Sequence, residues 1–324
     1  MRAYFAEEWC EPKDLVIREV PDPAPAAGEV LVDIKAIGLN FPDILLIAGK
    51  YQMRPKRPFV PGVEVAGVIA AVGEGVTDKK VGDRVAALCW IGGYSDKVVV
   101  PEVDAYAIPH SISFEEAAGL TVTYQSSYFG VVNRGELRPG ETILVHAGAG
   151  GIGTSAIQIA KAIGAGKIIA TVGSEAKKQI ALDSGADIVI NYKEDPHWNK
   201  KIRKEYGGAD VVIDPVGGDT LLQSIKCMNF EARLVVVGFT SGTITQIPAN
   251  LILLNNISIT GLHWNLYQKD HPEKIQASVK QLIQWYSEKK LKVVIHDTIP
   301  FADIPKALDD IGSRKTHGKV IAHP

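Results

Sequence analysis

The chain has 324 residues, 46% of them hydrophobic, with 35 basic against 37 acidic side chains and a formal charge of -2. That length suggests two domains, each able to bury a core without disulfides or a structural metal. The balanced charge offers no basic face for nucleic acid, and no run of about 18 apolar residues could cross a membrane. Three scattered cysteines, Cys10, Cys89 and Cys227, form no CxxC pair, and their odd count argues for reduced thiols. The N-terminus carries Glu7 and Glu8 and no secretory signal, so a cytoplasmic location is expected.

Up to about Tyr106 the sequence reads as short strands punctuated by Pro and Gly, predicted at 29–38, 63–72, 83–88 and 94–100. From about Glu115 the texture changes. Apolar bursts at 143–146, 167–172, 188–191, 211–214, 234–238 and 257–260 alternate with helical stretches such as 152–163 and 176–184. That alternation is the signature of a parallel sheet covered on both faces, so an α/β, doubly wound architecture is expected. An amphipathic helix at 272–289, a β-like segment at 291–300, a short helix at 304–311 and a last strand at 318–324 follow. This tail is more like the first region than the second. The expected division is therefore a discontinuous domain, 1–116 with 262–324, and an inserted nucleotide-type domain, 117–261.

Directly after the strand ETILVH stands Ala147-Gly148-Ala149-Gly150-Gly151-Ile152-Gly153, and the helical run TSAIQIAKAIG follows. In a GxGxxG loop so placed, the first glycine permits a tight turn, the second lets backbone approach a pyrophosphate, and the third lets the helix pack close to the strand. The free N–H groups at the helix start then bind the phosphates. The next strand ends Thr171-Val172-Gly173-Ser174, without the acid at its tip that would hold a ribose 2′-hydroxyl and repel a 2′-phosphate. Ser174, Lys177 and Tyr192 instead offer a hydroxyl, an ammonium and a phenol at that corner, which favours NADPH over NADH. Glu175 is the counterargument, and Ser174 as a helix cap is the structural alternative.

GLNFPDILLIAGKY, PGVEVAGVI, GDRV, LVHAGAGGIG, VIDPVGGD, PANLILLNN and THGKVI together resemble the medium-chain dehydrogenase/reductase superfamily, and within it the zinc-independent NADPH:quinone oxidoreductases, quinone oxidoreductase-like subgroup. The resemblance runs nearly end to end. It implies a Rossmann sheet inserted into a mostly-β, GroES-like catalytic domain, with hydride transfer from NADPH to a quinone at the cleft between them. Where zinc-dependent relatives carry a cysteine and a His-Glu pair, this chain has Asn40 and Val63-Glu64, so no metal is expected.

By the same resemblance Asn40 and Tyr51 are the candidate catalytic residues. Asn40 would hydrogen-bond a carbonyl or a ribose hydroxyl, and Tyr51, in a Gly-Lys-Tyr that resembles the G-x-Y element of 2-enoyl thioester reductases, would hydrogen-bond the acceptor oxygen or supply a proton, a packed or rim tyrosine being the alternative. Asp43 reads better as a helix cap. Ser126, Gly217, Phe239, Thr240 and the backbone at Leu262 and His263 match family positions around the cofactor; Trp90, Tyr94, Trp264 and Tyr267 read by default as core packing, with aromatic walls of a substrate pocket as the alternative. A homodimer through the last strand of the nucleotide domain is expected. Two other functions stay open: reduction of α,β-unsaturated carbonyls or enoyl thioesters, and NADPH binding without turnover.

Overall fold

The computed structural model describes all 324 residues, and they fall into two units: Met1–Val122 with Val293–Pro324, and Thr123–Lys292. In the first, strands β1 (Arg2–Phe5) and β2 (Val16–Glu19) pair as an antiparallel ribbon. Then come β3 (Glu29–Leu39), α1 (Phe41–Ile47), β4 (Glu64–Val72), β5 (Arg84–Leu88), β6 (Lys97–Pro101), β7 (Ala105–Ala107) and α2 (Phe114–Ala118). The second unit holds α3 (Thr123–Tyr128), β8 (Thr142–Val145), α4 (Gly151–Ile163), β9 (Lys167–Val172), α5 (Lys178–Asp183), β10 (Ile188–Asn191), α6 (Trp198–Glu205) and β11 (Ala209–Asp214). It continues through α7 (Asp219–Ile225), β12 (Met228–Val236), α8 (Ala249–Asn255), β13 (Ser258–Gly261), α9 (Tyr267–Asp270) and α10 (Pro272–Ser287). The chain returns to the first unit with β14 (Ile295–Pro300), α11 (Ile304–Gly312) and β15 (Lys319–His323).

The first unit is built on a sheet in the order β14-β15-β3-β4-β5-β7, with β6 also paired to β3. β3 is long enough to pair with β15 near its end, β4 along its length and β6 at its start. Val30, Val32 and Ile34 of β3 pack with Val65, Ile69, Val85 and Val320 in one core. In the second unit the order is β10-β9-β8-β11-β12-β13, all parallel, with the strand sequence reversing between β8 and β11. Ile143–Val145 and Ile168–Val172 are buried without interruption, as strands covered on both faces must be.

The expected division is corrected at both boundaries. Residues 262–292 pack in the second unit because α10 needs an apolar and polar partner there: Ser278 donates to Gln125 Oε1 at 2.6 Å, and the Trp285 and Tyr128 rings lie 5.9 Å apart. Residues 117–122 stay with the first, where Thr121 and the Val122 N–H both donate to Glu64. The segment expected as a strand from 291 pairs only from Ile295, although Leu291 and Val293 are buried.

Candidate functional site

The predicted residues of the second unit, Ser126 apart, all follow the carboxyl ends of its parallel strands. The loop 146–150 leaves β8, Ser174 and Lys177 follow β9, Tyr192 follows β10, Gly217 follows β11, Phe239 and Thr240 follow β12, and Leu262 and His263 follow β13. That edge, at the point where strand order reverses, is where open α/β sheets bind nucleotides.

The turn itself differs from the expectation. Ala147, not Gly148, takes the left-handed conformation, with φ +51°, and Gly150 N–H closes on Ala147 O at 2.8 Å. Gly148 is needed for space, since a Cβ there would lie 2.8 Å from Ala170 Cβ. Gly153 is needed more strictly: a Cβ would stand 2.1 Å from Ala147 O. The glycines thus let α4 begin hard against the loop, and the N–H groups of Gly151, Ile152 and Gly153 have no acceptor within the helix. His146 anchors the loop's entry. Its imidazole, fully buried, bonds Thr171 Oγ1 at 2.8 Å and Ser224 Oγ at 2.7 Å and meets the Trp198 ring edge-on. Burial lowers its pKa, so it serves as a neutral clamp between β8, β9 and α7.

At the tip of β9, Gly173 leaves room for Tyr192, whose hydroxyl would sit 2.8 Å from a Cβ at that position. Glu175 is exposed and turned into an ion pair with Lys178 at 2.8 Å. Ser174 precedes a short 3-10 turn but its side chain makes no capping bond, so the cap alternative is not realised. After β11, Asp214 Oδ1 accepts from the N–H groups of Val216 and Gly217 at 2.8 and 3.0 Å, and Phe239 packs over Gly217. Thr240 N–H donates to Pro215 O, and Leu262 N–H to Val236 O, so the latter backbone donor belongs to the fold. His263 Nε2 is buried with no hydrogen-bond partner. Ser126 is buried in α3, and its neighbour Ser127 bonds Ser155 at 2.6 Å and Ile152 O at 3.1 Å, fastening α3 to the first turns of α4.

In the first unit Asn40 belongs to a buried polar cluster that the sequence showed only in part, while Tyr51 packs beside it on the hydrophobic core. Lys319, 3% exposed, donates to Glu64 Oε1 at 2.6 Å, Asn40 Oδ1 at 2.6 Å and Leu39 O at 2.8 Å. Glu64 Oε2 accepts from Thr121 and Val122. Asn40 Nδ2 donates to Glu64 Oε1 at 2.9 Å and Gly38 O at 3.2 Å, so both its amide hydrogens are committed and Oδ1 alone keeps spare capacity. Its expected role as a donor to a carbonyl is therefore not open in this arrangement. Asn40 holds the N-cap position of α1 without a side-chain capping bond, its amide being turned to Gly38, Glu64 and Lys319; Asp43, in the first turn, accepts from the Asn40 N–H at 2.8 Å and from Tyr94 OH at 2.7 Å. Tyr94 is thus core, not a pocket wall, and Tyr267 packs on Phe129 with ring centres 4.6 Å apart. Tyr51 is half-buried against the same core; burial first, then the Asp43 charge, raises its phenol pKa.

The residues do not fit a catalytic zinc. No three His, Cys, Asp or Glu side chains converge, and between Asn40 and Glu64 stands the Lys319 ammonium, a fixed cation in direct competition with any metal ion. The signal for Lys319 was a lysine inside the apolar strand GKVIAHP.

Burial lifts the Asp43 carboxyl to about 7, and its Oδ1 has no partner. Because the folded-state pKa is raised, the stabilisation is complete below the ordinary carboxyl range near 3.8 and is lost as pH rises towards about 7. Across that window wild-type stability should fall by up to about 1.4 kcal/mol per pH unit relative to Asp43→Asn. Urea unfolding of both proteins at pH 5 and 7.5 measures this; parallel curves would refute it.

A family profile described as alcohol dehydrogenase GroES-like domain matches residues 26–110, and one described as zinc-binding dehydrogenase matches residues 151–288. The cattle quinone oxidoreductase-like protein 2 is 37% identical over 311 residues, covering 95% of this chain and 89% of that one. The human synaptic vesicle membrane protein VAT-1 homolog is 32% identical, covering 95% and 82%. The crystal structure of Escherichia coli quinone oxidoreductase complexed with NADPH superposes with a TM-score of 0.92 at 32% identity, covering all of both chains.

Proposed function

Because the chain belongs to the medium-chain dehydrogenase/reductase family and is an oxidoreductase of it, we propose that it is an NADPH-dependent, zinc-independent quinone reductase. The observation that carries this reading is the Lys319 ammonium seated between Asn40 and Glu64. Without a metal to polarise an alcohol, the acceptor must already be electrophilic, as a quinone is.

When bound, NADPH would supply a hydride to the acceptor, and a proton from solvent would complete the two-electron reduction to the hydroquinone. Gly148, Gly150 and the N–H groups of Gly151, Ile152 and Gly153 hold the pyrophosphate at the start of α4. Ser174, Lys177 and Tyr192 hold the 2′-phosphate, Glu175 being neutralised by Lys178. Asn40 would accept from a cofactor hydroxyl through the Oδ1 that Lys319 also reaches. Ser126, Gly217, Phe239, Thr240, Leu262 and His263 frame the rest of the cofactor. Tyr51 keeps its phenolic proton at neutral pH and donates a hydrogen bond to the acceptor oxygen as negative charge develops.

Fluorescence titration with NADPH and NADH, followed by NADPH oxidation with 1,4-benzoquinone and an enone, tests this. Selective NADPH binding with quinone turnover is expected. Turnover of the enone alone would replace quinone by an unsaturated carbonyl, and tight binding without oxidation would leave a binding protein. Tyr51→Phe should lower kcat/KM for the quinone about 100-fold with NADPH affinity unchanged; equal turnover would remove Tyr51 from the mechanism.

A homodimer is part of the proposal. β13 ends its sheet with an unpaired outer edge, and beside it Phe230, Leu253 and Leu254 are each about 70% exposed. Light scattering should give twice 34.9 kDa, and Leu254→Asp should shift the mass towards the monomer.

A further inference from the structure

Away from these residues, β14 and the turn entering β15 bring two imidazoles together. The two strands run parallel but their register slips: Ile295 lies opposite Lys319 and Asp297 opposite Val320, so His296 is an extra residue in β14. A bulge of this kind re-aims the side chain it carries. On the other side His317 precedes Gly318, whose backbone lies so close to Val294 O that a Cβ would sit 2.1 Å from it, and Lys319 N–H donates to Val294 O at 2.8 Å. The turn that carries His317 is thereby fixed against the residues leading into β14. His296 is exposed and His317 half-buried.

Their Nδ1 atoms are 2.8 Å apart, their ring centres 4.3 Å apart and their planes inclined at 81°. The two distances must be read together. The pair forms a hydrogen bond, and because a straight N–H···N bond of that length would hold the ring centres about 5 Å apart, this one is bent. Two imidazoles bound through Nδ1 to one ion at about 2.0 Å, near a right angle, place their nitrogens about 2.8 Å and their centres about 4.5 Å apart. A tetrahedral angle would need the nitrogens about 3.3 Å apart. The observed pair matches adjacent positions of a square-planar or octahedral ion. We propose that His296 and His317 form a two-imidazole site for a divalent copper or nickel ion, with water in the remaining positions. Nitrogen ligands in tetragonal geometry are the preference of these two ions.

The test is calorimetric titration of the metal-stripped full chain with copper, nickel or zinc chloride alone, beside His296→Gln and His317→Gln. Copper should bind tightest, and either substitution should weaken that site about 10–100-fold by removing one arm of the chelate. Electron paramagnetic resonance of the copper-loaded protein should show two imidazole nitrogens in the wild type and one in each variant. His296 lies on the surface, so His296→Gln carries the test if the other variant fails to fold. No copper binding, unchanged affinity in His296→Gln, or zinc bound more tightly than copper and nickel would overturn the proposal.

Discussion

Lys319→Met is expected to lower the unfolding free energy by about 3–5 kcal/mol, because it leaves the buried Glu64 carboxylate without a counter-ion. All three protons of the ammonium are used, on Glu64, Asn40 and Leu39, and neither charged partner is more than 3% exposed. Glu64 keeps the donors Thr121, Val122 and Asn40, which satisfy its lone pairs but do not neutralise it. The loss should therefore be largely reversed by removing the second charge. Glu64→Gln with Lys319→Met should be more stable than the sum of the single losses implies, by about 2 kcal/mol. Urea unfolding of the four proteins of this cycle supplies the comparison. Additive losses would mean that the two groups act as independent packing residues.

The halves of the chain were unequally legible. In the second unit the central strands β8, β9 and β11 are apolar bursts, since both faces of the sheet are covered there, and the glycine loop stands between a strand and a helix where its spacing has one reading. The first unit hides β2, whose four residues are all exposed and carry no alternation, and β7, which has three residues. Its polar cluster joins Lys319 to residues 255 and 279 positions away, and nothing local in the sequence records such a pairing. Asn40 was legible as a candidate, yet the commitment of its amide hydrogens follows only from Glu64 and Gly38 meeting it in space. The boundary near 262 was misplaced for a related reason. The apolar face of α10 was visible, but which unit offered the matching surface was not.

Gly153→Ala is expected to weaken NADPH binding about 100-fold or more, equivalent to about 2.7 kcal/mol, and to destabilise the second unit at the same time. The added methyl would meet Ala147 O at 2.1 Å and Gly148 Cα at 2.6 Å, both backbone atoms that no rotamer change can move. The loop must then part from α4, which is the arrangement that aims the helix N–H groups at a phosphate. Gly150→Ala separates the two consequences. Its backbone, at φ -80° and ψ 175°, suits any residue, and the nearest atom to a new Cβ is Ala147 O at 3.3 Å, a tight contact but far looser than the 2.1 Å at Gly153, so folding stability should fall much less than in Gly153→Ala. Yet the methyl would stand where backbone must approach the pyrophosphate, and NADPH affinity should fall about tenfold or more. Fluorescence titration and thermal unfolding of both variants decide the matter. Were Gly150→Ala to bind NADPH like the wild type, the pyrophosphate would lie elsewhere and the 2′-phosphate corner at Ser174, Lys177 and Tyr192 would need reassignment with it.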